Sequence, residues 1–222
     1  MAPPPPRPRS PAGDVLITAC PVLEIQPCDG FALWPTAPLG AYGLLPLSGA
    51  VAPAEIGTAV MSVAEYNDDG DGGLSEPLGA FLHGLVDGDP PLVPGGLRIT
   101  DTATGVTLLP GCCDGLEDRG DWWEVVDGGG PVFFGHDPSP IAERVGDTVR
   151  LTVDAEADGG PVIETTATDL RRLLADAERD LADFLRATAA WTAPHLPGHA
   201  DRVDAALARA LGPSRSAVPP GP

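Results

Sequence analysis

Cys112 and Cys113 stand side by side, and the dipeptide His136-Asp137 follows in a proline-bounded loop. A thiol, an imidazole and a carboxylate that orients it are the parts of cysteine nucleophilic catalysis, and thiols with an imidazole are the soft donors of zinc sites. No recognised local signature surrounds either cysteine. Zinc ligands usually come from spaced pairs such as C-x2-C, and adjacent cysteines rarely reach one ion together. Cys20 and Cys28 could contribute only if the fold brought them near. The residues therefore predict no metal and no cofactor, and they leave a small enzyme or ligand-binding domain using Cys113, His136 and Asp137 as the second functional reading.

The same stretch, residues 109–140, holds Trp122, Trp123, Phe133 and Phe134. Asp121 is placed to cap a short helix from Trp122 to Val126, which the glycines after Asp127 terminate. Loops held by a scaffold concentrate function, and aromatic side chains supply much of the energy at recognition surfaces. Trp122, Trp123, Glu124, Phe134, His136 and Asp137 are accordingly the expected partner-binding or ligand-binding residues. The competing reading is that the aromatics pin a long connection to the core.

A third candidate is "YNDDGDGGLSE", residues 66–76. Counted from Asn67, it offers Asp69, Asp71 and Gly72 at the third, fifth and sixth places of a calcium loop. The closing acid at place twelve is replaced by Leu78, Glu76 arrives early, and Pro77 follows it. A strand is expected to lead into the loop. Turn chemistry alone accounts for these residues, so the stretch is read as an acidic turn.

Composition narrows the classes. The chain has no lysine, which removes Schiff-base, P-loop and kinase-type lysine chemistry. Its net charge of -19 is uneven: residues 14–166 carry 25 acids against four arginines, whereas residues 167–222 hold seven of each. Such a field repels nucleic acid and anionic membrane and favours a basic protein or cationic ligand. The proline-rich start has no apolar run of signal-peptide type, and no stretch approaches the length of a membrane span. A cytoplasmic protein with four reduced thiols is the expectation.

The elements that must position these residues are partly legible. Residues 14–25 read as a strand kinked or placed at an edge by Pro21, and "AYGLLPL" and "GTAVMSVAEY" read as further strands, the second buried on both faces. Leu74, Leu78, Leu82 and Leu85 mark a short helix. Residues 97–109 and 147–166 are hairpins. From Thr166, apolar residues recur at helical spacing through Leu170, Leu174, Ala177, Leu181, Phe184, Thr188 and Trp191. Arg172 with Asp176 and Arg179 with Asp183 have pairing distance on its outer face. Pro194 stops this helix, and Val203 to Leu211 form a second. The fold class is α+β: a mainly antiparallel sheet with a short helix and a C-terminal two-helix hairpin packed on it. The expected organisation is a disordered arm at 1–13, one domain over 14–211 (sheet-rich to 166, helical from 167) and a disordered tail at 212–222.

The segment "GCCDGLEDRGDWWEVVDGGGPVFFGHDPSP" and the helix "DLRRLLADAERDLADFLRATAAW" resemble a set of uncharacterised proteins from GC-rich bacteria, over residues 107–211. That resemblance implies no activity. In its small size, acidity and aromatic loop the chain is also similar to immunity proteins that neutralise basic toxins, which implies a basic protein as partner. The leading expectation is a non-enzymatic binding protein that recognises a protein through its acidic face and the region Trp122 to Asp137.

Overall fold

The computed structural model describes residues 17–68, 76–87 and 90–213. The arm expected at 1–13, most of the tail expected at 212–222 and the centre of the 66–76 loop lie outside them. Two four-stranded antiparallel sheets and five α-helices make up the described chain, an α+β fold. The single sheet expected is therefore two. In the first, β1 (Ile17–Glu24), β2 (Leu44–Pro46), β3 (Gly95–Asp101) and β4 (Thr107–Leu108) lie in the order β2-β1-β3-β4. In the second, β5 (Val132–Phe133), β6 (Ile141–Val145), β7 (Thr148–Thr152) and β8 (Val162–Thr166) follow in sequence order. Both expected hairpins are present, as β3–β4 and β7–β8.

Pro21 is not at an edge. It lies within β1, which pairs with β2 on one side and β3 on the other. A central strand tolerates it because the Pro21 carbonyl accepts the Leu47 N–H at 2.9 Å just past the end of β2. The missing donor faces that same side, where the short partner strand has ended.

The segment read as a buried strand, "GTAVMSVAEY", is helical: α1 spans Pro53–Tyr66. Proline at the first helical position presets φ, and the Glu55 carboxylate accepts the Ala52 N–H at 2.8 Å. The helix is buried without a break from Ile56 to Ala64, and its polar residues Glu55, Thr58, Ser62 and Glu65 recur at helical steps of three, four and three, a period that the strand reading passes over. Its two buried hydroxyls are satisfied: Thr58 donates to Ala54 O at 3.0 Å, and Ser62 donates to Glu24 O at 3.1 Å while accepting from Gln26 N at 2.8 Å. The apolar run between them, taken alone, fits a buried strand and a buried helix equally well.

Helix α2 (Pro77–Asp87) turns Leu82 and Leu85 inward. Helix α3 (Asp121–Asp127) packs against β5, β6 and α4 (Ala167–His195), the long amphipathic helix, and α5 (Ala200–Leu211) folds back on α4. Thr166 caps α4, accepting the Asp169 N–H at 3.0 Å. Pro194 falls within the last turn rather than ending the helix before it. The ion pairs on the outer face run to the acid three residues earlier: Arg172 to Asp169 at 3.1 Å, Arg179 to Asp176 and Arg186 to Asp183. The four-residue pairs expected, Arg172–Asp176 and Arg179–Asp183, give way because helical side chains lean toward the N-terminus.

Two cores result. One gathers β1 and β2 with α1, α2, α5 and the second half of α4, around Leu23, Val60, Leu82, Phe184 and Trp191. The other gathers β3, β4, the second sheet, α3 and the first half of α4, around Ile99, Trp122, Val149, Leu151 and Leu170. Among the described residues no helix is long and apolar enough to cross a membrane.

Candidate functional site

Two glycines bring the Cys-Cys and His-Asp stretches together. Gly111 N donates to Phe134 O at 2.8 Å, Cys112 N donates to His136 O at 2.6 Å, and His136 N returns a bond to Cys112 O at 3.1 Å. This one-pair antiparallel bridge lets the backbones approach closely. A Cβ on Gly111 would lie 2.3 Å from Pro138 O, and one on Gly135, whose φ is +91°, would lie 2.6 Å from Cys112 O. Only glycine fits at either crossing point.

Cys113 then adopts φ +66°, a left-handed conformation unusual for a residue with a side chain. That turn swings its thiol to the same side as its neighbour's, and the two Sγ atoms lie 3.4 Å apart. One donor atom each from Cys112, Cys113 and His136 falls within 4.8 Å of the others, and all three residues are exposed. Asp137, also left-handed at φ +50°, sets Oδ2 3.3 Å from His136 Nδ1. The adjacent cysteines expected to diverge therefore converge. Cys20, in β1, and Cys28 are not in the group.

Acids dominate the electrostatics around the group. The Cys112 thiol is pushed up, first by sharing a hydrogen bond with Cys113, then by burial and the Cys113, Glu24 and Asp137 charges. Burial pushes the adjacent Asp114 carboxyl up to about 7, with Asp118, Glu117 and Asp121 adding repulsion against one backbone hydrogen bond from Gly115. Glu117 is raised by burial too, although its carboxylate accepts the Val93 N–H at 2.8 Å. The Tyr66 phenol, at the end of α1, is raised by burial and by Cys113 and Glu117. Elsewhere Cys28 is pushed up to about 12 by burial and the Glu65 carboxylate, and Cys20 is raised by burial.

The aromatic residues expected to meet a partner sit inside. Trp122, Trp123 and Phe134 are 1%, 7% and 3% exposed, and Trp122 stacks on Phe134 at 3.9 Å. Arg171 of α4 covers the Trp123 ring at 5.7 Å. The competing reading of these side chains, pinning the connection to the core, is what the fold makes of them. Phe133, one residue away, is the exposed aromatic at 64%. Of the remaining expected residues, Glu124, His136 and Asp137 are exposed.

Helix α3 separates these environments. Trp122, Trp123, Val125 and Val126 face in, while Asp121, Glu124 and Asp127 follow at three-residue steps on the outside. Gly120 rather than Asp121 is the N-cap, and Gly128 at φ +85° closes the C-terminus. Asp127 pairs with Arg171 at 2.9 Å. Asp121 has its carboxyl raised by burial and by Glu124 and Asp118. The cation lying within this stretch of sequence, Arg119, is withdrawn: it is 6% exposed, pairs with Glu178 at 3.1 Å and donates to Ala210 O and Leu211 O at the end of α5. Sequence reading weighed Cys112 as a metal ligand and set it aside, and it left Asp118, Asp121 and Phe133 out of the expected site. For Phe133 the signal was the extended backbone, on which it and the following Phe134 face opposite ways.

The helix α1, not a strand, enters the 66–76 loop, and α2 leaves it. Its described ends are engaged elsewhere. The Asn67 side chain donates to Val63 O and Leu92 O and accepts from Leu92 N, and Glu76 accepts from the Leu78 and Gly79 N–H groups at the start of α2. Asp69, Asp71, Gly72 and Ser75 lie outside the described residues.

No family model, no curated protein and no solved structure matches this chain.

Proposed function

We propose that this is a non-enzymatic cytosolic protein that binds a basic protein segment on the outer face of α3. The observation that carries the reading is the row Asp118, Asp121 and Glu124, three exposed acids beside one another while the neighbouring Arg119 is turned into the interior. Mutual repulsion within the row is relieved by a cationic partner, and complementary charge accelerates encounter. Phe133, exposed on an edge strand packed against α3, supplies an aromatic anchor beside the charges. In this reading recognition rests on Phe133, Asp118, Asp121 and Glu124, and the buried Trp122, Trp123 and Phe134 support them from within. A cysteine nucleophile at Cys113 is less favoured, because the Cys–His group stands open to solvent rather than in a pocket and has acids rather than cations around it.

The test uses a synthetic arginine-glycine peptide followed by fluorescence anisotropy. Binding should weaken steeply with salt. Neutralising the row (Asp118→Asn, Asp121→Asn, Glu124→Gln) should cost about tenfold in affinity, roughly 0.5 kcal/mol per charge. Neutralising Asp147, Asp158 and Asp201 in the same way should leave affinity nearly unchanged. Equal losses in the two variants would mean that net charge alone drives capture, and the reading would fail.

A further inference from the structure

The structure assigns a second site, independent of the acidic row: Cys112, Cys113 and His136 form a three-donor site for a thiophilic divalent cation, zinc being the ion whose geometry it fits. Four-coordinate zinc holds sulfur at about 2.3 Å and nitrogen at about 2.0 Å, so its tetrahedral donors lie roughly 3.5–3.8 Å apart. The two Sγ atoms are 3.4 Å apart and the whole set lies within 4.8 Å. Shifts of about an ångström or less, all in exposed side chains, bring the three donors to bonding distance of one ion.

The backbone is arranged for this convergence. Adjacent side chains on an extended strand point to opposite faces. The left-handed turn at Cys113 cancels that alternation. The Cys112–His136 bridge, possible because Gly111 and Gly135 let the strands touch, puts the imidazole on the same side. Strained conformations at two consecutive-motif residues, Cys113 and Asp137, persist only where surrounding structure enforces them, and they recur at functional sites. The Asp137 carboxylate beside Nδ1 is the orienting acceptor that metal-bound imidazoles ordinarily have, and it assigns ligation to Nε2.

On binding, each thiol gives its proton to solvent, each sulfur and the imidazole nitrogen donate an electron pair, and zinc sheds the waters they replace. Its oxidation state does not change. Two sulfurs and one nitrogen leave the fourth position to water or an incoming ligand, the donor count of an open rather than a closed zinc site. The acidic surround of Glu24 and Asp137 favours a cation there.

The experiment titrates the reduced, full-length chain with zinc by calorimetry and follows thiol reactivity in parallel. One ion per chain should bind, and it should protect two of the four thiols. Cobalt in its place should give sulfur-to-metal charge-transfer absorption. Cys112→Ser, Cys113→Ser and His136→Ala should each weaken binding by about 100-fold or more, and Asp137→Asn by about 10- to 100-fold, while thermal melting shows each variant folded. A Cys20→Ser, Cys28→Ser double variant should bind as the parent does. Absence of uptake overturns the proposal. So does zinc uptake that survives the Cys112→Ser, Cys113→Ser, His136→Ala triple variant, which would locate the ion on surface carboxylates.

Discussion

Residues 109–137 have an inner and an outer face built from neighbouring positions, and the two faces follow opposite rules. Inside, Trp122 stacks on Phe134, Val125 and Val126 are fully buried, and Arg119 stitches the chain to Glu178 and to the carbonyls at the end of α5. Outside, Phe133, Asp121, Glu124, Cys112, Cys113 and His136 meet solvent. The inner residues are over-determined by packing and hydrogen bonds. The outer ones have only the chemistry of their own side chains to explain them. One step along a strand or helix decides which rule applies.

Substitutions can break that contrast if the outer face proves as costly as the inner one. The largest loss should come from Trp122→Ala, about 4 kcal/mol in denaturant unfolding, because the deleted ring leaves a cavity against Phe134. Arg119→Ala should follow at about 3 kcal/mol, since Glu178 and the α5 carbonyls lose their donor. If Arg119→Ala unfolds with the parent's midpoint, the stitch is ornamental. Asp114, on the boundary, sharpens the comparison through pH. Its folded carboxyl titrates at about 7, well above the ordinary aspartate range near 4, so folding prefers the protonated form. That contribution is fully present below about pH 4 and is lost as pH rises toward 7. Asp114→Asn should therefore match the parent at pH 4 and exceed it by about 1–2 kcal/mol at pH 8. A constant difference across that range would show that the carboxyl is not perturbed. On the outer face Phe133→Ala and Glu124→Gln should each change stability by less than about 0.5 kcal/mol. A larger loss would make them structural and would weaken their assignment to recognition.

How much of this was readable depended on whether a periodicity existed to be read. Helix α4 declared itself because one face is polar, and both hairpins declared themselves through alternation about a turn. Helix α1 was harder to read, because its polar stripe is thin: Glu55, Thr58, Ser62 and Glu65 recur at helical steps, but the two in the middle are small buried hydroxyls within an apolar run. The second sheet was half visible: β7 and β8 alternate, whereas the two-residue β5 is too short to show a period. In the site, residue types point to the stretch where His136 and Asp137 lie exposed beside the thiols. The convergence of Cys112 with Cys113 was hidden because it depends on the sign of one φ angle. The inward turn of Trp122 and Trp123 was hidden because a seven-residue helix with two large aromatics leaves the direction of its apolar face to the tertiary context.

Helix α4 contributes Leu170, Leu174 and Ala177 to one core and Leu181, Phe184 and Trp191 to the other. A single rod of 29 residues is thus shared by two hydrophobic interiors, as is β1, whose Leu23 lies in one while its Ile17 and Ala19 pack against the other. Neither interior can open without stripping half of that rod of its cover. The amides between Ala177 and Leu181 belong to both, so they should exchange with solvent only when the whole described fold comes apart, making them the slowest-exchanging reporters of global unfolding.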